Sequence, residues 1–195
     1  AIISKGDIMK KNSEKIVFSI VLLFGIAAFI KNAVSYFATP ASDTFMKQEY
    51  LVLMGEMPLG ILLVFVPLVF KRWFSLKLPK AINLYYWFFI WLSVFMGTGF
   101  RLIANISFWD KILHTASPIL LAALGYSIIT TFLRKKEIPS FSPWVFLIFG
   151  FCFAETCGIF WEFWEFFCDT FLGMNLQRFA TLEGVPYVGQ KALLD

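Results

Sequence analysis

A chain of 195 residues that is 59% hydrophobic, with a mean hydropathy of +0.74, is too apolar for an ordinary soluble domain. Its apolar runs of about 20 residues are each long enough to cross a hydrocarbon core, and they do not alternate as the strands of an outer-membrane barrel would. The net charge of +4 comes from Lys and Arg clustered between those runs, a pattern explained by membrane topology and not by nucleic-acid binding.

The composition and the runs give an all-α fold: one polytopic transmembrane helical bundle of five spans. Residues 1–15 form a basic N-terminus carrying Lys5, Lys10, Lys11 and Lys15. The bundle occupies residues 16–172, and 173–195 form a polar, turn-rich tail. The first span runs from about Ile16 to Phe37. It is too long for a signal peptide and no A-x-A site closes it. Lys31 and Asn32 lie near its far end, where a lysine can snorkel to the interface. A polar loop, Ala38–Glu49, leads to a second span at about Tyr50–Phe70. Glu56 sits roughly 9 Å inside that span at about 1.5 Å per residue. Pro58 lacks an N–H and so frees the carbonyl of Met54.

A basic loop with Lys71, Arg72, Lys77 and Lys80 precedes the third span, about Ile82–Ile103, which ends in Gly97-Thr98-Gly99-Phe100-Arg101. Arg101 is read either as an interfacial anchor or as a partner for acids. The fourth span, about Asp110–Phe132, opens W-D-K-I-L-H-T-A-S-P. Asp110 and His114 are four apart, share a face with Ser117, and Pro118 frees the carbonyl of His114. A serine triad from these three is poor geometry, since all lie on one helix face. Arg134, Lys135 and Lys136 precede the fifth span, which begins at about Pro143.

That last span carries a carboxylate stripe. At about 100° per residue, Glu155, Glu162, Glu165 and Asp169 fall within an arc of roughly 80°. Phe160, Trp161, Trp164 and Phe167 face away, with Cys157 and Cys168; these two and Cys152 read as small packing residues. An aromatic cage for a quaternary ammonium, with Trp161 or Trp164 beside the acids, is compatible with the composition although both lie off the acidic arc. Ionisable groups in a span are costly and usually face the bundle interior or a wet cavity.

Most of the 17 Lys and Arg fall in the N-terminus, the second–third loop and the fourth–fifth loop. The positive-inside bias therefore puts the N-terminus in the cytoplasm. Glu56, Arg101, Asp110, His114, Glu162, Glu165 and Asp169 then share the outer leaflet, with Glu155 nearer the midplane. The expectation is one acidic, ligand- or ion-binding pocket open to the cell exterior. The leading expectation is that it binds or translocates a cation, a proton or a lipid headgroup. A second is a divalent metal (Zn²⁺, Mn²⁺ or Ca²⁺) held by Asp110, His114, Glu162 and Glu165 in a hydrolase acting on a lipid or envelope precursor. A third is that the polar groups only lock the helices together. With one His and no H-E-x-x-H, spacing leaves all three open, and with them whether the protein is an enzyme. Membrane lipid is the expected partner and nucleic acid is not; the sequence leaves the oligomeric state open.

W-D-K-I-L-H (Trp109–His114), G-I-F-W-E-F-W-E-F (Gly158–Phe166) with Asp169, Asn175-Leu176-Gln177 and the terminal G-Q-K-A-L-L-D resemble the YjdF-like family of uncharacterised bacterial membrane proteins. More distantly, D-K-x-x-H followed by a late acidic helix is similar to the VanZ-like proteins linked to glycopeptide resistance. The resemblance covers residues 105–195. It implies a small polytopic protein of the bacterial plasma membrane, without an assigned chemistry. It also implies a continuation beyond Asp195, with another acidic residue and a sixth span, and makes Asp195 a further candidate for the site.

Overall fold

The structure is a computed structural model that describes residues 5–74, 78–106, 108–133, 141–172 and 177, and no strand occurs among them. Among the described residues seven α-helices follow one another: α1 (Lys5–Ala38), α2 (Thr44–Val64), α3 (Val66–Trp73), α4 (Lys80–Ile90), α5 (Leu102–Asn105), α6 (Trp109–Phe132) and α7 (Pro143–Leu172). A π-helical segment, Trp91–Gly99, continues α4. Among the described residues four helices are long and apolar enough to cross a membrane, or five if α2 and α3 form one bent span. The all-helical, polytopic reading therefore holds. No helical break separates residues 5–15 from the first span, since α1 runs through both. The tail, apart from Gln177, and Asp195 lie outside the described residues.

Local chemistry explains the turns. Asp43 caps α2, its Oδ1 accepting from the Met46 N–H at 3.0 Å, which satisfies one of the free donors of a helix start. Pro58 sits within α2 without ending it. The bend comes later, 41° between α2 and α3. Pro67 has no N–H for the Leu63 carbonyl, and the Leu68 N–H goes to Phe65 O at 2.9 Å instead of to Val64 O. Both released carbonyls are taken up across the bundle. The Tyr86 hydroxyl donates to Leu63 O at 2.7 Å and Trp87 Nε1 donates to Val64 O at 2.9 Å.

The third span ends at Gly99, four residues before the expected Ile103. The Phe100 N–H donates five residues back, to Phe95 O at 2.9 Å. Arg101 then takes a left-handed conformation, with φ 61°, and the chain turns into the short α5. π-Helical turns are rare and favour functional positions, and a non-glycine residue at positive φ is held there by its surroundings.

Two packing units result. α1, α2 and α4 with its π-segment enclose the core of Val21, Ala28, Met57, Val64, Trp87, Ile90 and Phe95. Glycines let the helices close: a Cβ on Gly25 would lie 2.5 Å from Phe95 Cζ, and one on Gly99 would lie 2.8 Å from Met57 Sδ. α6 and α7 form a hairpin that packs along its own length, and α6 alone joins it substantially to the first unit, through α4 and the end of the π-segment. A Cβ on Gly150 would meet the Ala122 carbonyl oxygen at 2.7 Å, and one on Gly125 would meet Phe153. The seam of α7 is Phe146, Gly150, Ala154, Glu165 and Cys168. Large apolar side chains such as Leu23, Leu62, Phe160 and Phe163 face outward, as lipid-facing surface does.

Candidate functional site

The spans alternate in direction. The end of α1, the start of α2, the end of the π-segment, the start of α6 and the end of α7 therefore lie at one end of the bundle. The polar residues do not meet there in a single pocket. They form two clusters, one in each packing unit.

The first cluster is the α6–α7 acid site. His114 Nε2 lies 3.6 Å from Asp110 Oδ2, one turn away on α6, and both side chains are partly exposed. On α7, Glu165 turns into the seam and is buried, while Glu162 is exposed. Trp161 Nε1 donates to Glu165 Oε1 at 2.7 Å. Glu165 lies within electrostatic range of Glu162, His114 and Asp110. Four of the expected residues thus gather where α6 starts and α7 nears its end. The helical projection places Trp161 off the acidic arc. The structure corrects this, because residues four apart on a helix are neighbours even when their mean directions differ.

Asp169 stands one turn further on, its Oδ2 accepting from the Gln177 N–H at 3.0 Å. Glu155 is exposed on the flank of α7, and the described residues give its carboxylate no hydrogen bond. Of the cysteines, all free, Cys168 is buried in the seam, Cys157 is half-buried and Cys152 is exposed. No group of three His, Cys, Asp or Glu among the described residues is placed to hold one metal ion. The set Asp110, His114, Glu162 and Glu165 gathers, but not as a ligand shell.

The second cluster closes the first unit. Arg101 pairs with Glu49, Nη2 to Oε1 2.6 Å, both side chains being about four-fifths buried. Of the two expectations for Arg101, an interfacial anchor or a partner for acids, the second predicts that it faces the span-five acids. It does not, because α7 packs on α6 and leaves the end of the π-segment to α1 and α2. Hydropathy places Glu49 in a loop; α2 begins at Thr44, and this brings Glu49 inside the helix and onto Arg101. Lys31, expected to snorkel, is instead tied across the bundle: its Nζ donates to Asn32 Oδ1 at 3.1 Å and to Gly99 O at 3.3 Å. Asn32 is fully buried and donates to the same Gly99 carbonyl at 3.1 Å. The π-winding and Gly99 supply this carbonyl, which a regular helix would bond internally.

Glu56 belongs to neither cluster. It is half-buried beside the α2 seam of Leu53, Met57, Gly60 and Val64, and its carboxylate has no hydrogen bond or ion pair among the described residues. A contact between the two packing units lies near both clusters. Trp109, which opens α6, packs on Gly97, a Cβ on which would lie 3.3 Å from Trp109 Nε1.

A model of a family described as "Predicted membrane protein (DUF2238)" matches residues 15–189. The chain belongs to that family of predicted membrane proteins. No curated protein and no solved structure matches it.

Proposed function

We propose that the α6–α7 acid site binds a cation or a cationic headgroup at one face of the membrane. The observation that carries this is the burial of Glu165 between α6 and α7 within electrostatic range of two further carboxylates and one imidazole. Among the described residues three acids, Asp110, Glu162 and Glu165, lie near one histidine there. Partial burial strengthens their mutual repulsion, and a bound cation offsets it, as does a proton taken up by one of them. Trp161, fixed by its hydrogen bond to Glu165, presents an indole face beside the carboxylate and can add a cation–π contact to an ammonium group.

The basic loops support a cytoplasmic N-terminus, so this face is proposed to be exofacial. The YjdF-like motifs support a bacterial plasma membrane as the location.

The test is cation binding to the full chain in neutral-lipid nanodiscs, read by Trp fluorescence with tetramethylammonium, K⁺ and Ca²⁺ as probes. Glu165→Gln and Glu162→Gln are expected to weaken binding at least tenfold, and Glu155→Gln to leave it unchanged. Equal binding in all three variants and the wild type would sink the proposal. Elemental analysis of the purified chain adds an arm: a stoichiometric divalent metal, lost in Glu165→Gln, replaces the cation reading with the metal-dependent hydrolase.

A further inference from the structure

We propose that the Lys31–Arg101 cluster, separate from the acid site, is a binding site for a phosphate group at the membrane surface. Its ammonium is positioned without being neutralised. Among the described residues Lys31 Nζ donates only to uncharged acceptors, Asn32 Oδ1 and Gly99 O. It lies 5.7 Å from the centre of the Tyr50 ring and 5.6 Å from that of Phe100. Two bonded acceptors leave the third N–H of an ammonium available. Arg101 stands within electrostatic range of Lys31, and Glu49 is the carboxylate near them both. Among the described residues two cations therefore share one carboxylate, with the Arg101 and Glu49 side chains about four-fifths buried and Lys31 half-buried.

The hydrogen bonding is incomplete in the same place. Among the described residues Arg101 Nε is buried with no acceptor, and Glu49 Oε2 is buried with no donor. The guanidinium thus meets Glu49 through one of its N–H groups while a second has no partner. Phosphate oxygens suit this set: a fork from Arg and a point charge from Lys are the usual recognition of such a group. The left-handed backbone of Arg101 and the fully buried Asn32 hold the two cations where they are before any ligand arrives. Lys31 is seven residues from the end of α1, about 10 Å at 1.5 Å per residue, toward one end of the bundle. An open cleft of about 370 Å³ between α1 and α2, lined by Ser35, Thr39, Pro40, Asp43 and Tyr50, leads to the same Tyr50 that underlies Lys31.

The phosphate has two sources, a phospholipid headgroup or a soluble phosphate-bearing ligand. The experiment uses the full chain in maltoside micelles. Phosphatidylglycerol is titrated by native mass spectrometry and inorganic phosphate by calorimetry, with Lys31→Gln and Glu49→Gln. One phosphatidylglycerol is expected per chain, bound at least tenfold more weakly in Lys31→Gln and severalfold more tightly in Glu49→Gln. A pair that only locks the helices predicts no gain in Glu49→Gln, so the two variants move apart only if the site is real. Phosphatidylglycerol binding without phosphate binding identifies a lipid headgroup; phosphate that displaces the lipid identifies a soluble ligand. Equal affinity in the wild type and whichever variants fold, or no binding of either probe, overturns the proposal. Glu165→Gln leaves this site untouched, so its fate is independent of the acid site.

Discussion

The first three spans and the α6–α7 hairpin are built from similar residues and solve opposite problems. In the first unit a ring of aromatic and aliphatic groups around Phe95 and Met57 is sealed on several sides, and its two cations are tied to named acceptors. In the hairpin α7 has one seam, on α6, while α6 also meets α4. The acids on α7 range from buried Glu165 to exposed Glu155 as they turn away from it. Lipid tails are as apolar as leucine, so an unpaired apolar face costs nothing in a bilayer, and close approach at small residues decides which helices associate. The first unit achieves that approach on several helices; the hairpin achieves it only between two.

The sharpest way to break this contrast is Phe95→Ala. Removing a fully buried ring shared by α1, α2 and the π-segment is expected to cost about 3–5 kcal/mol. Phe160→Ala on α7, 68% exposed, should change stability by under about 0.5 kcal/mol. Reversible unfolding in mixed micelles measures both; equal losses would show that the first unit has no core of its own.

Gly150→Val comes next. Its Cβ would press on the Ala122 carbonyl oxygen, which is backbone and cannot swing aside, so the hairpin must open at about 1–3 kcal/mol. Gly158→Ala, with nothing within 4 Å, should instead be neutral or stabilise by up to about 1 kcal/mol. A cysteine cross-link between α6 and α7 should form less efficiently in Gly150→Val alone.

Tyr86→Phe removes the donor to Leu63 O at the α2–α3 bend and should cost about 1 kcal/mol. Hydrogen exchange around Phe65 should rise there while α7 keeps its protection. Smallest of all is His114→Gln. Its pairing with Asp110 is solvent-exposed and one turn apart on the same helix, so a stability change above about 0.5 kcal/mol would mean that the imidazole makes a contact within the acid site that its exposure does not suggest.

The acid site was partly legible. Asp110 with His114, and Glu162 with Glu165, were readable as helical neighbours, and the alternation of spans brought both pairs to the same end. Their meeting depends on α6 and α7 being adjacent, which antiparallel hairpins favour. The Arg101–Glu49 pair was not legible. It rests on α2 starting within an apparent loop and on a π-wound helix that stops before Ile103. Neither leaves a mark in hydropathy, because a π-turn exchanges one backbone hydrogen bond for another without changing which residues are apolar.

What the chain's order of residues decided alone was depth: which segments lie in lipid, and which end of the bundle each charge approaches. Hydrocarbon thickness and the cost of ions in it impose that limit on any sequence of this kind. Rotation and neighbourhood were decided by the tertiary packing. A helix apolar nearly all round carries no stripe to show which side it will bury. Contacts such as Gly150 on Ala122 and Gly25 on Phe95 chose those sides, and so separated the cations of one unit from the carboxylates of the other.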